Sequence, residues 1–387
     1  MQPVSDGGGS EHALIRMIRQ LRADGWECHV AVPGPARLAS EYAEAGATLH
    51  LVPMERLTTS GGTRRWARYA HRWPLSVWEL VRLCRRLDVG VVHTNSLHSW
   101  YGWAAARLTG RPHVWHAREI VFQSSAALRI EQFLTSHFAD RVIAVSAAVA
   151  SQLDPARTVV VTDEADPAQF SPDRAGRFRR SAGIAEDVPL VGSVARIDTW
   201  KGFDALLDAF PLMRASRPDL ELVVAGAPVL GKEAYAAALE RRAAGIAGVH
   251  WLGMRRDVAD IMADLDAFVQ VSTEPEPFGL VVVEALASGV PVVAGAQGGP
   301  LEILGAKAAT CATPAGRLVE PGDAGSLAAA VISVLPPGRS SPARRRSRPR
   351  LRSVTSGQFS ELFGSVLAEQ PVRRRRPAQP QEPSISS

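Results

Sequence analysis

Two glutamates eight positions apart, Glu276 and Glu284, flank Pro277-Phe-Gly-Leu280. A strand should end near Ser272, followed by a Pro-containing loop and a helix that opens close to Phe278 and stops at Gly289. The amides of Gly279 and Leu280 then lie at that helix's N-terminus, without intrahelical partners, and face the carboxyl edge of the sheet with the positive end of the helix dipole. That arrangement suits a diphosphate. Eight residues at roughly 100° each leave the two acids about 80° apart, so both can border one cleft. One carboxylate can accept hydrogen bonds from a sugar, the other from ribose hydroxyls. An isolated pair of glutamates at this spacing is more often a solvated helix face. The Pro-Phe-Gly between them and the small-residue run to Gly289-Val-Pro-Val-Val-Ala294 set this pair apart.

A second cluster lies upstream, where Arg196 and Lys201 fall five positions apart in Val191-Gly-Ser-Val-Ala-Arg-Ile-Asp-Thr-Trp-Lys-Gly-Phe-Asp204. Cations are mildly unfavourable at a helix start, but two at the mouth of a loop can clamp a diphosphate and stabilise charge that builds on it. Near the N-terminus Gly7-Gly-Gly-Ser-Glu-His12 leads into the amphipathic pattern Glu11–Asp24. His93, Asn95 and Ser96 end a strand pattern on the side where an acceptor would lie. Asp264-Leu-Asp266 has a metal-ligand spacing, but it sits in a mostly apolar frame, so no divalent ion is expected. The run Arg64-Arg-Trp-Ala-Arg-Tyr-Ala-His-Arg-Trp73, with Trp78, Arg82, Arg85 and Arg86, interleaves cations and aromatics. A solvated helix face and an acceptor or anionic-membrane surface account for it equally well.

The elements that must position these groups form a simple pattern. Short β-branched runs at Cys28–Pro33, Thr48–Pro53, Val89–His93, His113–His116, Arg141–Ser146 and Thr158–Thr162 alternate with helical stretches. After a pause rich in Pro, Asp and Arg, the pattern resumes at Leu190–Val194, Leu220–Ala225, Val249–Leu252, Ala267–Val271, Val290–Ala294 and Gly316–Val319. Such alternation predicts parallel sheets covered by helices, here α/β with two Rossmann-like lobes joined near residue 165. No strand pattern precedes the glycine loop, so either translation starts upstream of Met1 or the first lobe lacks a strand beside its cleft. Residues 336–355 are Pro-, Ser- and Arg-rich and read as an irregular segment, either frame-shifted or a disordered basic linker. Helical spacing returns over 356–369, and 370–387 reads as a disordered tail.

Length and charge fit this division. The 387 residues are comfortable for two domains. The net charge of +5 resides in the tail: residues 336–387 hold eleven Arg and three Glu, leaving 33 basic and 36 acidic residues before them. A fold that grips nucleic acid should carry its basic patch on a structured face, so no nucleic-acid partner is expected. Three widely spaced cysteines suit neither a disulfide framework nor a zinc site. With no apolar N-terminal region and no long apolar run, a cytoplasmic location is expected, with surface attachment at the inner face of the membrane compatible with it.

The segment Ser272–Ala294 resembles the signature of retaining glycosyltransferase family 4, a group including glycogen synthases and mannosyltransferases, whose fold is called GT-B. Val191–Asp204 resembles that family's strand, loop and helix at the start of the second lobe. Gly7–His12 resembles its glycine loop, and Val114-Trp-His-Ala-Arg-Glu-Ile120 its histidine-bearing strand end, while Ala139–Ser146 matches a structural strand. The resemblance covers roughly residues 3–335. It implies a first lobe (1–165) that takes the acceptor and a second (166–335) that takes a UDP-, GDP- or ADP-sugar, with the last helix returning to the first lobe. It also implies catalytic roles for His116, Glu276, Arg196 and Lys201. The donor would be bound by Gly9, Arg196, Lys201, Gly279, Leu280 and Glu284, and the sugar would pass to a carbohydrate or lipid-linked acceptor with retention and no cofactor. Asp163-Glu-Ala-Asp166 departs from the family's Asn-Gly-hydrophobic-Asp turn. Two alternatives remain: a catalytically silent sugar-nucleotide-binding protein of the same fold, and a nucleic-acid-binding protein working through the tail.

Overall fold

The computed structural model describes residues 1–3, 7–55, 62–122, 124–308, 316–338, 340–347 and 358–369. The second lobe is built on one parallel six-stranded sheet: β7 (Leu190–Val194), β8 (Glu221–Ala225), β9 (Val249–Gly253), β10 (Ala267–Gln270), β11 (Val292–Gly295) and β12 (Gly316–Val319). The strand order is β12-β11-β10-β7-β8-β9. Its central strands β7, β10 and β11 are buried along their whole length, as expected for apolar runs covered by helices on both faces. The first lobe pairs β1 (Cys28–Val32) with β2 (Ala47–Leu51). It also holds the parallel order β3 (Val92–Thr94), β4 (His113–Ala117), β5 (Arg141–Ala144) and β6 (Thr158–Val160). Each of these twelve strands lies within three residues, at either end, of a run legible in the sequence.

Residues Met1 and Gln2 lie between the two sheets of the first lobe. The Gln2 amide donates to Ala31 O at 3.0 Å, the Asn95 amide donates to Met1 O at 3.0 Å, and the Met1 amino group donates to His93 O at 2.5 Å. Two residues thus bridge β1 to the end of β3 at the place where the sequence offered no strand. Val4, Ser5 and Asp6, which open the glycine-loop motif, lie outside the described residues.

Both lobes share a core. One cluster runs from Leu97, Trp115 and Val145 in the first lobe to Phe278, Val282 and Leu304 in the second. Across the same boundary the Ala147 and Ala148 amides donate to Glu302 at 2.9 and 2.6 Å, and Ser146 Oγ donates to Pro277 O at 2.6 Å. The last described helix, Gln358–Ala368, returns to the first lobe and sets Phe359, Phe363 and Val366 among Leu14, Ile18, Val30 and Val114.

The 336–355 segment corrects the reading of an irregular linker. A short helix, Pro342–Arg346, docks on the second lobe with Arg345 fully buried between Asp264 and Glu186. Periodicity missed it because charge, not an apolar stripe, holds it down. Asp264 and Asp266 belong to the same network. Gly176 and Arg179 amides donate to Asp264, while Arg179, the Leu190 amide and Ser340 donate to Asp266. Residues 348–355 and the 370–387 tail lie outside the described residues.

Candidate active site

The carboxyl ends of β3, β4 and β5 in the first lobe and of β7 and β10 in the second border one cleft of ≈ 500 Å³. On the second-lobe wall, Glu276 sits in the loop between β10 and the helix Leu280–Ala287. Its backbone is fixed by a parallel bridge to Gly298 and by the Gly299 amide, which donates to Glu276 O at 2.8 Å. Gly298 has φ +63°, and a Cβ there would stand 2.2 Å from Glu276 O, so this close approach needs glycine. The Glu276 carboxylate receives three donors at one oxygen: Lys201 Nζ at 2.5 Å, Gln270 Nε2 at 3.0 Å and Ser272 Oγ at 3.1 Å.

Lys201 ends a single 3-10 turn, Thr199–Lys201, and its ammonium lies 3.8 Å from the centre of the Trp200 ring. Next to it, Gly202 at φ +74° lets the turn press against the end of β10, since a Cβ would meet Val271 O at 1.9 Å. Arg196, exposed just past β7, lines the same wall. Gly279 adopts φ +91° as the N-cap of the Leu280–Ala287 helix, whose first amides have no intrahelical partner and whose first residues line the cleft. Opposite them, Gly8, Gly9 and Ser10 open the helix Gly9–Ala23. Gly9 lies so near the second lobe that a Cβ on it would stand 3.7 Å from the Leu280 side chain.

Two sequence profiles cover nearly all of this. The one described as Glycosyltransferase Family 4 matches residues 7–162, and the one described as Glycosyl transferases group 1 matches residues 175–348. This chain belongs to the family 4, group 1 glycosyltransferases. It is 34% identical over 277 residues to a D-inositol 3-phosphate glycosyltransferase of Geodermatophilus obscurus, covering 63% of this chain and 60% of that protein. With a GDP-mannose-dependent alpha-mannosyltransferase of Mycobacterium tuberculosis it shares 28% identity over 319 residues, 76% of this chain and 77% of that one. Across three curated relatives it spans 60%, 42% and 57% of their length. The crystal structure of Anabaena HepE with UDP and glucose superposes with a TM-score of 0.71 at 22% identity, covering 94% of this chain and 98% of HepE, a match of GT-B fold.

Within this family member the structure keeps two expected site residues, His116 and Glu284, off the cleft wall. His116 is fully buried and does not line the cleft: its Nδ1 lies 3.3 Å from His93 Nε2 and its ring packs on Phe359. Burial pushes its pKa well below the ordinary value. The reason is strand alternation: on β4, Val114 and His116 turn toward the C-terminal helix, while Trp115 and Ala117 turn to the other face. His93 likewise packs on His116 and Phe363. Asn95 and Ser96 do line the cleft.

The residues that take the first-lobe wall are Arg118 and Glu119, the first two beyond β4. Arg118 donates to Asn95 Oδ1 at 2.6 Å and pairs with Asp163 at 2.5 Å, and Glu119 is gripped by Ser96 Oγ and the Leu97 amide. Both stand in the quoted motif; the signal overlooked was that side chains just past a parallel strand's carboxyl end reach the cleft. The unfamiliar Asp163 of the hinge is thus a partner for Arg118.

Glu284 is placed one turn inside the Leu280–Ala287 helix, off the cleft wall and buried, with Oε1 3.2 Å from Arg16 of the first lobe. Burial pushes its pKa up from 4.5 to about 7, against the pull of Arg16. In the folded state it therefore keeps a proton that the unfolded chain releases near 4.5, and stability contributed below that point is lost as pH rises to about 7. The loss is at most about 3 kcal/mol. Glu284→Gln, which does not titrate, should flatten the urea-unfolding free energy across this window relative to the parent. Parallel pH curves for the two proteins would contradict this.

Proposed function

We propose that this chain transfers a glycosyl group from a nucleoside-diphosphate sugar to a carbohydrate or lipid-linked acceptor with retention of anomeric configuration. The observation that carries the reading is the Lys201, Gln270 and Ser272 grip on Glu276 beside the Leu280–Ala287 N-terminus, in a chain of this family. Lys201 and Arg196 neutralise the diphosphate as charge builds on it, helped by the amides of Gly279 and Leu280 and the close backbone of Gly9. Glu276 accepts hydroxyl hydrogen bonds from the donor sugar, and Glu284, one helical turn along from the cleft-lining Leu280, accepts those of the ribose. The bond from the anomeric carbon to phosphate breaks as the acceptor oxygen bonds on the same face, and the acceptor proton passes to the leaving phosphate oxygen. No protein nucleophile and no metal is assigned a part. The named relatives, one GDP-mannose-dependent and one seen with UDP and glucose, support a UDP- or GDP-sugar as donor, with ADP-sugars as the third class to test.

The test is donor turnover followed by proton NMR, with UDP-, GDP- and ADP-sugars screened first for thermal stabilisation. A first-formed product with the donor's own anomeric configuration supports the proposal. An inverted product would overturn retention, and stabilisation by a nucleotide with no turnover would favour the silent binding protein.

The acceptor lobe also carries a surface for anionic lipid. Among the described residues of the helix Gly62–Arg86, Leu75 and Trp78 are exposed, Arg82 stacks over Trp78 at 4.6 Å, and Arg85 and Arg86 are exposed. The side chains of Arg64, Arg65 and Trp66 lie outside the described residues. No described helix is long and apolar enough to cross a membrane. Each of Arg82, Arg85 and Arg86 replaced by Gln should weaken binding to phosphatidylglycerol-containing vesicles roughly fivefold, the scale of about 1 kcal/mol per basic residue. Unchanged co-sedimentation of the triple variant would reduce this stretch to a solvated helix face.

A further inference from the structure

Arg16 lies about two turns into the helix whose N-terminus faces the cleft. It reaches across the lobe boundary to a residue 268 positions away. Its side chain and that of Glu284 are only 12% and 9% exposed. Two of its nitrogens, Nε and Nη2, are buried without a hydrogen-bond partner. Buried donors left unmade cost stability, and an apolar residue of similar volume is often as good or better at such a place. Arg16 is therefore poorly explained as a stabilising contact. Its other side borders a second cavity, of ≈ 200 Å³, at the hinge between Gln20, Asp163, Asp166 and Phe359. The guanidinium is thus the partition between the hinge and Glu284.

We propose, taking Glu284 as the ribose ligand of the donor site, that Arg16 is a positioning residue for it: the guanidinium holds Oε1 of Glu284, opposes the effect of burial on the carboxylate, and leaves Oε2 to the ribose diol. Oε2 accepts no hydrogen bond from any described residue. The charges facing Glu284 from each packed element support the assignment. Arg16 comes from the helix Gly9–Ala23, and Asp163, which opposes ionisation, comes from the hinge and is paired with Arg118. From the neighbouring helices, Asp264 is turned to Gly176, Arg179 and Arg345, and Glu302 to the Ala147 and Ala148 amides. Arg16 is the cation left to oppose burial. An ionised acceptor binds a hydroxyl roughly twice as strongly as a neutral one. The ribose grip is consequently assembled from both lobes and is complete only when they close.

The experiment is calorimetric titration of the full chain with UDP, GDP and ADP and with their 2′-deoxy counterparts at pH 6, 7 and 8.5. The parent should prefer the ribonucleotide, increasingly so as pH passes about 7. Arg16→Met should lose that preference at pH 7 by about tenfold, the scale of one charge-assisted hydrogen bond, and regain part of it at pH 8.5. Arg16→Lys, which keeps the charge, should restore most of the preference at pH 7. A folded Arg16→Met variant with the parent's ribose preference and pH profile would overturn the role of Arg16 while leaving the donor site intact. A parent that binds no nucleoside diphosphate would overturn the donor-site reading itself, and the role of Arg16 with it.

Discussion

Glu276→Ala, Lys201→Ala and Arg196→Ala are each expected to lower turnover of the nucleoside-diphosphate sugar at least ~100-fold, the loss seen when one preorganised charge-stabilising group is removed from an active site. The three do not act alike. Lys201 and Arg196 oppose charge that exists mainly as the glycosidic bond breaks, so their loss should appear in kcat. Glu276 binds hydroxyls present in both ground and transition states, so its loss should raise KM as well. Glu276 and Lys201 are also each other's partner at 2.5 Å, and removing either leaves the other turned to Gln270, Ser272 or Trp200. The double variant should therefore cost much less than the product of the two single losses. Glu276→Gln, which keeps an acceptor oxygen for Lys201, should fall between the parent and Glu276→Ala. Near-normal rates for all three alanine variants in a folded, nucleotide-binding preparation would sink the assignment of these residues to the reacting site.

The parts of this site that were legible in the sequence are those held by local chain geometry. Glu276, Gly279 and Leu280 follow from a strand end, a proline loop and a helix start. Lys201 follows from its five-position spacing from Arg196 at the mouth of a loop, and the structure adds the Gly202 that lets its turn press on the end of β10. These depend on neighbours a few residues away, and the strands behind them on β-branched runs that a buried parallel sheet requires. His116 was misplaced because a motif match does not say which face of a strand a side chain takes. With β4 ending at Ala117, Val114 and His116 belong to the layer under the C-terminal helix, and the cleft belongs to Arg118 and Glu119. Arg16 escaped for a different reason: its meaning lies in a partner on the other lobe, and no spacing within the Gly9–Ala23 helix reports that contact. The second-lobe anchor of Arg345 escaped likewise, since a buried cation in an Arg-Pro-Ser run looks from sequence like solvated linker. Met1 and Gln2 are too short a stretch to show any period.

The same buried charges yield the largest expected loss of stability. Arg179 is wholly buried, and its guanidinium makes five hydrogen bonds: two to Asp264 O, one each to Ala185 O and Val188 O, and one to Asp266 at 3.0 Å. Burial pulls its pKa down, and the nearby Asp266 and Asp264 pull it back up. Arg179→Met keeps most of the side chain's volume but leaves three carbonyls short of donors and Asp266 short of its cation. Asp266 retains the Leu190 amide and Ser340, which soften the loss without cancelling it. Breaking a buried pair on one side costs about 3–5 kcal/mol, a large share of the roughly 5–15 kcal/mol that holds a domain folded. Urea unfolding should show the midpoint falling sharply with little change in slope. Arg179→Lys should rescue little, because an ammonium with three donors cannot span partners arranged around a planar fork. Asp266→Asn, placed on the Arg179→Met background, should recover part of the loss by removing the stranded charge, and a double variant no more stable than Arg179→Met would place the cost in the carbonyls instead.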